Sequence, residues 1–481
     1  MKKIIASVLC FTMCAAMFAG CSSDSTTTSG TTAGGNGGET TTEGTTENTT
    51  SQVEVGTGSI VINVYAMSNE VPGMIEEFFK RNPDYGAKYK VEAMVSNNDN
   101  QAYETKLNAA LTAGGDIAPD LYVAEADYIL PYTQGDFASF AAPYSDFIDD
   151  VDGKIKAADI AGYTVDLGTN TDGKLVALCY QCTGGALIYR RSIAKDVFGT
   201  DDPDAVGKEL GAGSQSWDKF LEAAQKMKDK GYAIVSGLGD VWNVCEKAAE
   251  KPWVVDGKLY IDPQREAYLD LAKTLIDNDY CNKTDAWQEA WFADMRDASD
   301  RKVFAWFGPA WLINYTIGGQ VDGKAEQGYG DYAVAVPPVG FWWGGSWLLV
   351  NKAAIENADK KEVISKIVEW ITLDATEDGL QWAWANGKLN ENGTKDTVSS
   401  GVVMNMSSVD GSMDILGGQN PFPIFVDATS YASSKCKSTY DSTFNGTWQE
   451  QVKQYAMGEK EKDAALNEFK DVVEKAGITV E

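Results

Sequence analysis

The sequence predicts an α/β protein because β-rich runs alternate with segments of helical apolar spacing; 44% of the 481 residues are apolar, ample for globular cores, and no internal repeat is evident. A chain this long is expected to form two or three domains. Ser59-Ile-Val-Ile-Asn-Val-Tyr-Ala reads as a strand, and Met74, Ile75, Phe78 and Phe79 in the segment after it share one helical face. A strand at 88–95, an amphipathic helix at 103–112 and a strand at 118–124, opening after a Gly-rich turn, continue the alternation, which implies parallel βαβ units. Farther on, Ser216 suits the cap of a helix that carries Trp217, Phe220, Leu221, Ala224 and Met227 and stops at Gly231. Residues 263–278 and 361–385 are longer helices, the latter striped by Val363, Ile364, Ile367, Val368 and Ile371, and residues 448–476 read as mostly helical.

Seventy acidic residues against 41 basic ones give a formal charge of −29, which repels phosphate backbones and anionic lipid surfaces, so nucleic acid is not an expected partner. Histidine is absent, which excludes Ser-His-Asp and Cys-His catalysis and His-ligated zinc or haem. No phosphate-cradling glycine motif occurs, and the acidic stretches at 148–159 and 168–179 miss EF-hand spacing at one ligand each. No cofactor or metal is expected.

Lys2 and Lys3 precede an apolar run over 4–18, which is the layout of a secretory signal and too short for a membrane span. The following Phe18-Ala19-Gly20-Cys21 resembles a bacterial lipobox, with Phe where Leu is usual, and implies a diacylglyceryl group on Cys21. Residues 22–58 are Ser, Thr, Gly, Glu and Asn with almost no large apolar side chain, a composition expected to stay disordered. Such a tether spans on the order of 35 Å. The expected setting is the extracytoplasmic face of a bacterial membrane, reached through the lipid alone.

Beyond Cys21 stand Cys179, Cys182, Cys245, Cys281 and Cys436, an odd number that leaves at least one thiol unpaired and the connectivity open. Cys179 and Cys182 form a C-x-x-C inside a strand-like run without a second pair, which reads as buried thiols or a disulfide before it reads as a redox or metal site.

All 14 Trp fall between 217 and 448, grouped at 287 and 291, 306 and 311, 342, 343 and 347, and 382 and 384. An indole offers a flat apolar face with one N–H at its edge, which suits stacking on the C–H face of a sugar. A single Trp is ordinarily a core residue, but Phe341-Trp-Trp-Gly-Gly-Ser-Trp crowds three rings about a Gly-Gly turn that belongs near a surface or a cleft.

Asp116-Ile-Ala-Pro-Asp-Leu-Tyr-Val-Ala-Glu-Ala-Asp, Gly173-Lys-Leu-Val-Ala-Leu-Cys-Tyr-Gln-Cys-Thr-Gly-Gly, Val303-Phe-Ala-Trp-Phe-Gly-Pro-Ala-Trp and Trp343-Gly-Gly-Ser-Trp-Leu-Leu-Val-Asn-Lys resemble, in order and spacing, landmarks of family 1 extracellular solute-binding proteins. These are the carbohydrate-binding lipoproteins of ABC importers, the maltose-binding type among them. The resemblance covers nearly all of 59–480 and implies a periplasmic-binding-protein-like fold of two lobes, each a sheet flanked by helices, with ligand in the cleft between. Carried over by position, it sorts 1–20 as signal peptide, 21–58 as lipidated Cys and tether, 59–178 and 305–340 as lobe one, and 179–304 and 341–481 as lobe two. Chain crossings are expected near 178–184, 302–307 and 341–347.

The same resemblance places Glu125, Asp127 and Tyr128 in the cleft, the two carboxylates accepting paired hydrogen bonds from sugar hydroxyls. It adds Tyr180, Gln181 and Thr183 from a hinge strand and Asp240, Trp242 and Asn243 from lobe two. Trp311 is the implied stacking platform; an Ala between Pro309 and Trp311 departs from the family's Gly-Pro-Trp and makes Trp306 a competitor. Trp343 and Trp347 are further stackers. The implied function is capture of a neutral sugar or oligosaccharide by a monomeric receptor that presents it, unchanged, to the importer's permease subunits. Two alternatives stand beside it: a glycoside hydrolase working with two carboxylates, and a binding protein for a peptide or cationic solute, which the acidic charge suits.

Overall fold

The computed structural model describes residues 50–98, 101–389 and 393–480. The signal segment, Cys21 and the tether up to residue 49 lie outside the described residues. Strands β1 (Thr50–Gly56), β2 (Ile60–Ala66), β3 (Tyr89–Ser96), β4 (Leu121–Glu125), β5 (Ala177–Cys179) and β11 (Ser346–Val350) form a six-stranded sheet in the order β1-β3-β2-β4-β11-β5. Strands β6 (Ala186–Arg190), β9 (Ala305–Gly308) and β10 (Tyr332–Ala335) form a second sheet ordered β10-β6-β9, and β7 (Val254–Val255) with β8 (Lys258–Leu259) makes a small ribbon. Helices flank both main sheets, as an α/β fold requires.

The alternating apolar residues of β2 bury Ile62, Val64 and Ala66, and helix Glu70–Arg81 buries Met74, Ile75, Phe78 and Phe79. Each of these side chains larger than Ala contributes about 1.5–3 kcal/mol of burial. The parallel expectation holds where β2 pairs with β3 and β4; every other pair in the two main sheets is antiparallel. Residues 50–56, expected to belong to the tether, instead form edge strand β1 against β3, Thr50 facing Ser96 and Gly56 facing Lys90. Val53 and Val55 alternate there with polar residues, a period-2 signal submerged in the polar composition. The helix expected over 361–385 is broken, running Ala358–Thr372 and then Leu380–Ala385, with the polar turn 374–379 between. The last segment is two helices, Asp441–Ala456 and Lys462–Lys475, parted at Gly458, whose φ is +76°.

The expected sorting of the later segments between lobes is corrected by strand pairing. Residues 305–308 and 332–335 pair with β6 in the three-stranded sheet, whereas 346–350 insert between β4 and β5 in the six-stranded sheet. Sheet membership is set by partners more than a hundred residues away, which local pattern does not carry. The chain therefore crosses from the first lobe to the second through 180–185 and returns through 336–345, while 302–307 is no crossing because β9 stays beside β6. After helix Ala358–Thr372 packs on helix Glu70–Arg81, a third passage follows Ser400, and helix Asp441–Ala456 packs on Pro263–Asp277 of the second lobe. The five thiols beyond Cys21 are all buried and unbridged. Among the described residues no helix is long and apolar enough to cross a membrane, and no cluster of Cys, Asp or Glu could hold a metal ion.

Candidate functional site

Strand ends and crossings bring three groups of side chains to the gap between the lobes, in keeping with the rule that ligands of open α/β sheets gather at strand ends. The first is aromatic. Trp311 caps a π-type turn, Leu312–Ile317, directly after β9, and its indole packs edge-on against Trp343 at 4.8 Å between centroids while donating Nε1–H to the Trp343 carbonyl at 3.1 Å. Trp287 lies on Trp311 nearly parallel, at 6.2 Å and 15°, and against Trp291 at 5.2 Å. Gly344 has φ +82°, and a Cβ there would stand 3.0 Å from Trp311 Nε1 and 3.3 Å from Glu125 Oε1, so the glycine is what lets indole and carboxyl meet at the crossing.

The second group is ionic. Asp127, one turn past β4 on the first lobe, reaches Lys247 at 3.2 Å and Lys437 at 3.0 Å, both on the second lobe. The lysine side chains are 3% and 4% exposed, and they also face Glu246, at 2.5 and 3.5 Å, with Asp441 3.9 Å from Lys437. Partial burial would raise the Asp127 carboxyl, but the two ammonium groups hold it well below the usual carboxylate range. Glu125 goes the other way: burial, and then the Asp127 charge, push it up to about 8.

The third group surrounds Glu70, the first residue of its helix. The Tyr180 hydroxyl donates to Glu70 Oε1 at 2.5 Å, and the Tyr180 ring packs on Trp384 at 5.4 Å. Glu70, Ser68, Asn69, Tyr315, Trp384 and Lys388 line a cavity of about 830 Å³. Tyr315 is exposed and stands one turn beyond Trp311, so one helix serves both groups. Burial raises the Glu70 carboxyl, offset in part by the Tyr180 and Tyr315 hydroxyls. Burial, with the Glu70 charge adding to it, raises Asp396 well above the usual range, and its Oδ2 has no hydrogen-bond partner among the described residues.

Of the residues expected from sequence, Glu125, Asp127, Trp311 and Trp343 converge, and Tyr180 reaches the Glu70 group. Tyr128 is half-buried against Tyr103. Thr183 instead laces the crossings together, its hydroxyl bonding the Gly344 carbonyl at 2.9 Å, and buried Gln181 bridges Val398. Five expectations are corrected. Trp306 and Trp347 are fully buried strand residues, Trp306 packed on Tyr332 and Trp347 donating Nε1–H to the Thr164 carbonyl at 2.8 Å, because each side chain points off its sheet into the core. Trp242 packs inside on Tyr268, and buried Asp240 caps its own helix through Gly237 N–H and accepts Trp291 Nε1–H at 2.9 Å. Asn243, partly buried on that helix, touches none of the three groups in a described hydrogen bond. Reading the sequence missed Glu70, Tyr315, Trp384 and Trp287. The position of Glu70 just past a strand could have flagged it, and Trp287 sits among polar neighbours, Asp285 and Gln288, unlike a core Trp.

The chain shares this architecture with solved proteins. A structure described as an extracellular solute-binding protein family 1 member aligns with TM-score 0.69 at 18% identity, over 87% of this chain and 100% of that one. An ABC-transporter-associated binding protein from B. animalis subsp. lactis, in complex with β-1,6-galactobiose, aligns with TM-score 0.59 at 18% identity over 88% and 100%. The galacto-N-biose-/lacto-N-biose I-binding protein of the ABC transporter from Bifidobacterium longum, in complex with lacto-N-biose, aligns with TM-score 0.60 at 17% identity over the same shares. Sequence comparison with curated proteins finds no match. The family model described as bacterial extracellular solute-binding protein matches residues 73–389, which is well over half of the chain. The protein therefore belongs to the bacterial extracellular solute-binding proteins.

Proposed function

We propose that this protein captures a neutral sugar or oligosaccharide in the cleft and hands it, chemically unchanged, to the permease subunits of an ABC importer. The observation that carries the reading is the convergence of Trp311, Trp343 and Glu125 on Gly344 at an interlobe crossing. Indole faces supply apolar burial against ring C–H groups, and a carboxyl or tyrosine hydroxyl selects hydroxyl orientation, each lost partner costing about 1–3 kcal/mol. The sugars carried by structural neighbours, a galactobiose and lacto-N-biose, support a glycan of this size. The two lobes, 50–180 with 346–400 and 186–340 with 413–480, close about the crossings on ligand. The working form is a monomer tethered through lipidated Cys21 on the extracytoplasmic face.

Calorimetric titration with galactobiose, lacto-N-biose and malto-, manno- and xylo-oligosaccharides tests the reading: saturable heat with at least one and no shortened product after incubation is expected, and silence across the panel sinks it. Cys21→Ala is expected to release the protein from membranes with affinity unchanged. One observation favours a second reading, a cationic or amino-bearing solute. Half-buried Glu70 and buried Asp396 are neighbouring carboxyls, the latter with an unpartnered oxygen, and an amine would satisfy both. A panel in which only amine-bearing compounds bind would favour it.

A further inference from the structure

All 14 indoles lie among the described residues, and Trp287 is the only one of them that is exposed, at 50%. Its backbone sits in the left-handed region at φ +66°, where an aromatic residue is strained and persists only if its surroundings impose it. They do so on both sides. Asp285 is clasped by Lys453 at 2.7 and 2.9 Å, Thr284 N–H bonds the Ser236 carbonyl at 3.2 Å, and Gln288 opens helix Glu289–Met295, whose buried Trp291 is pinned to Asp240. The ring held out in this way has a backing of three others, with Trp311 parallel to it and Trp291 and Trp343 inclined at 50° and 66°.

A strained backbone that keeps a large apolar ring half in water has no use in the core, and a rigid ring loses little entropy when a ligand lands on it. We propose that Trp287 is the stacking platform that meets the ligand, that Trp311 and Trp343 are its backing, and that the class of group it takes is the apolar C–H face of a pyranose ring. The expectation that Trp311 itself is the platform is thereby moved one ring outward. This proposal rests on the sugar-binding reading above.

The test uses the full chain in titrations with galactobiose, lacto-N-biose and maltotriose, comparing Trp287→Ala, Trp287→Phe and Trp311→Ala with the native protein, alongside thermal melts and acrylamide quenching of tryptophan emission. Trp287→Ala is expected to weaken the bound sugar at least tenfold with an unchanged melt, Trp287→Phe to restore most of the affinity, and bound sugar to shield a quenchable emission that Trp287→Phe lacks. Native-like affinity in Trp287→Ala, or sugar that leaves quenching unaltered, overturns the platform while the sugar reading stands. Native protein that binds none of the three sugars, nor any in the wider panel, takes down both.

Discussion

Asp127, Glu246 and Asp441 share two buried lysines at one end of the cleft, whereas at the other Glu70 and Asp396 meet a tyrosine hydroxyl and the Thr397 amide. Both ends collect carboxyl groups in partial or full burial, and burial alone penalises every one of them. The difference lies in who satisfies them. Lys247 and Lys437 keep Glu246 and Asp441 on their own lobe, so Asp127 can detach when the lobes part without stranding a buried cation. The Glu70 end has no such arrangement and fronts the 830 Å³ cavity. The first end has the pairing of a clasp, and the second is where ligand is expected to enter.

Breaking the clasp from its buried side has the largest expected effect. Lys437→Met leaves Glu246 and Asp441, 6% and 5% exposed, facing no Lys437 charge, and is expected to cost about 3–5 kcal/mol, read as a lower urea midpoint. At the other end Glu70→Gln keeps shape and removes a charged acceptor. It is expected to weaken ligand about tenfold, or about 1.4 kcal/mol, with melting unchanged; equal affinity would show that the cavity is not the receiving end.

The pH dependence separates Glu125 from Asp127. Folded Glu125 keeps its proton up to about 8, while the unfolded chain releases it near the ordinary value of about 4.3. The native state binds the extra proton, so this contribution to stability is complete below about 4.3 and fades as pH rises through about 8, at up to about 1.4 kcal/mol per pH unit. Denaturant midpoints from pH 4 to 9 are expected to show a shallower decline in Glu125→Gln than in the native protein. Asp127 has the opposite sign, its contribution being lost only as pH falls through its depressed value. Smallest is Asp127→Asn: the side chain is 50% exposed, so the expected cost is under about 1 kcal/mol, while small-angle scattering of the unliganded protein reports a larger radius of gyration. An unchanged radius would argue that Asp127 does not hold the lobes.

Strands β2 to β4 and helix Glu70–Arg81 were legible because period-2 and period-3.6 patterns are local properties. The lobe sorting was not, since β11 finds β4 and β5 only through long-range pairing, and nothing inside Ser346–Val350 names its neighbours. Among the Trp residues the sequence offered composition without direction. Trp306 and Trp311 are five residues apart, yet one lies within β9 and the other just past its end, and that alone turns one inward and the other toward the gap. Glu125 and Asp127 were found through the motif they belong to, but the lysines that claim Asp127 lie 120 and 310 residues on, beyond any local signal.

The first two crossings are stitched to each other: Trp343 N–H to the Thr183 carbonyl and Gly185 N–H to the Phe341 carbonyl, both at 2.9 Å, beside the Thr183 hydroxyl on Gly344. Paired in this manner they behave as one ribbon instead of two loose cords. A ribbon resists sliding and twisting far more than flexing, which leaves the lobes a single easy swing, and any guest that halts that swing fixes the outward face of both lobes at once.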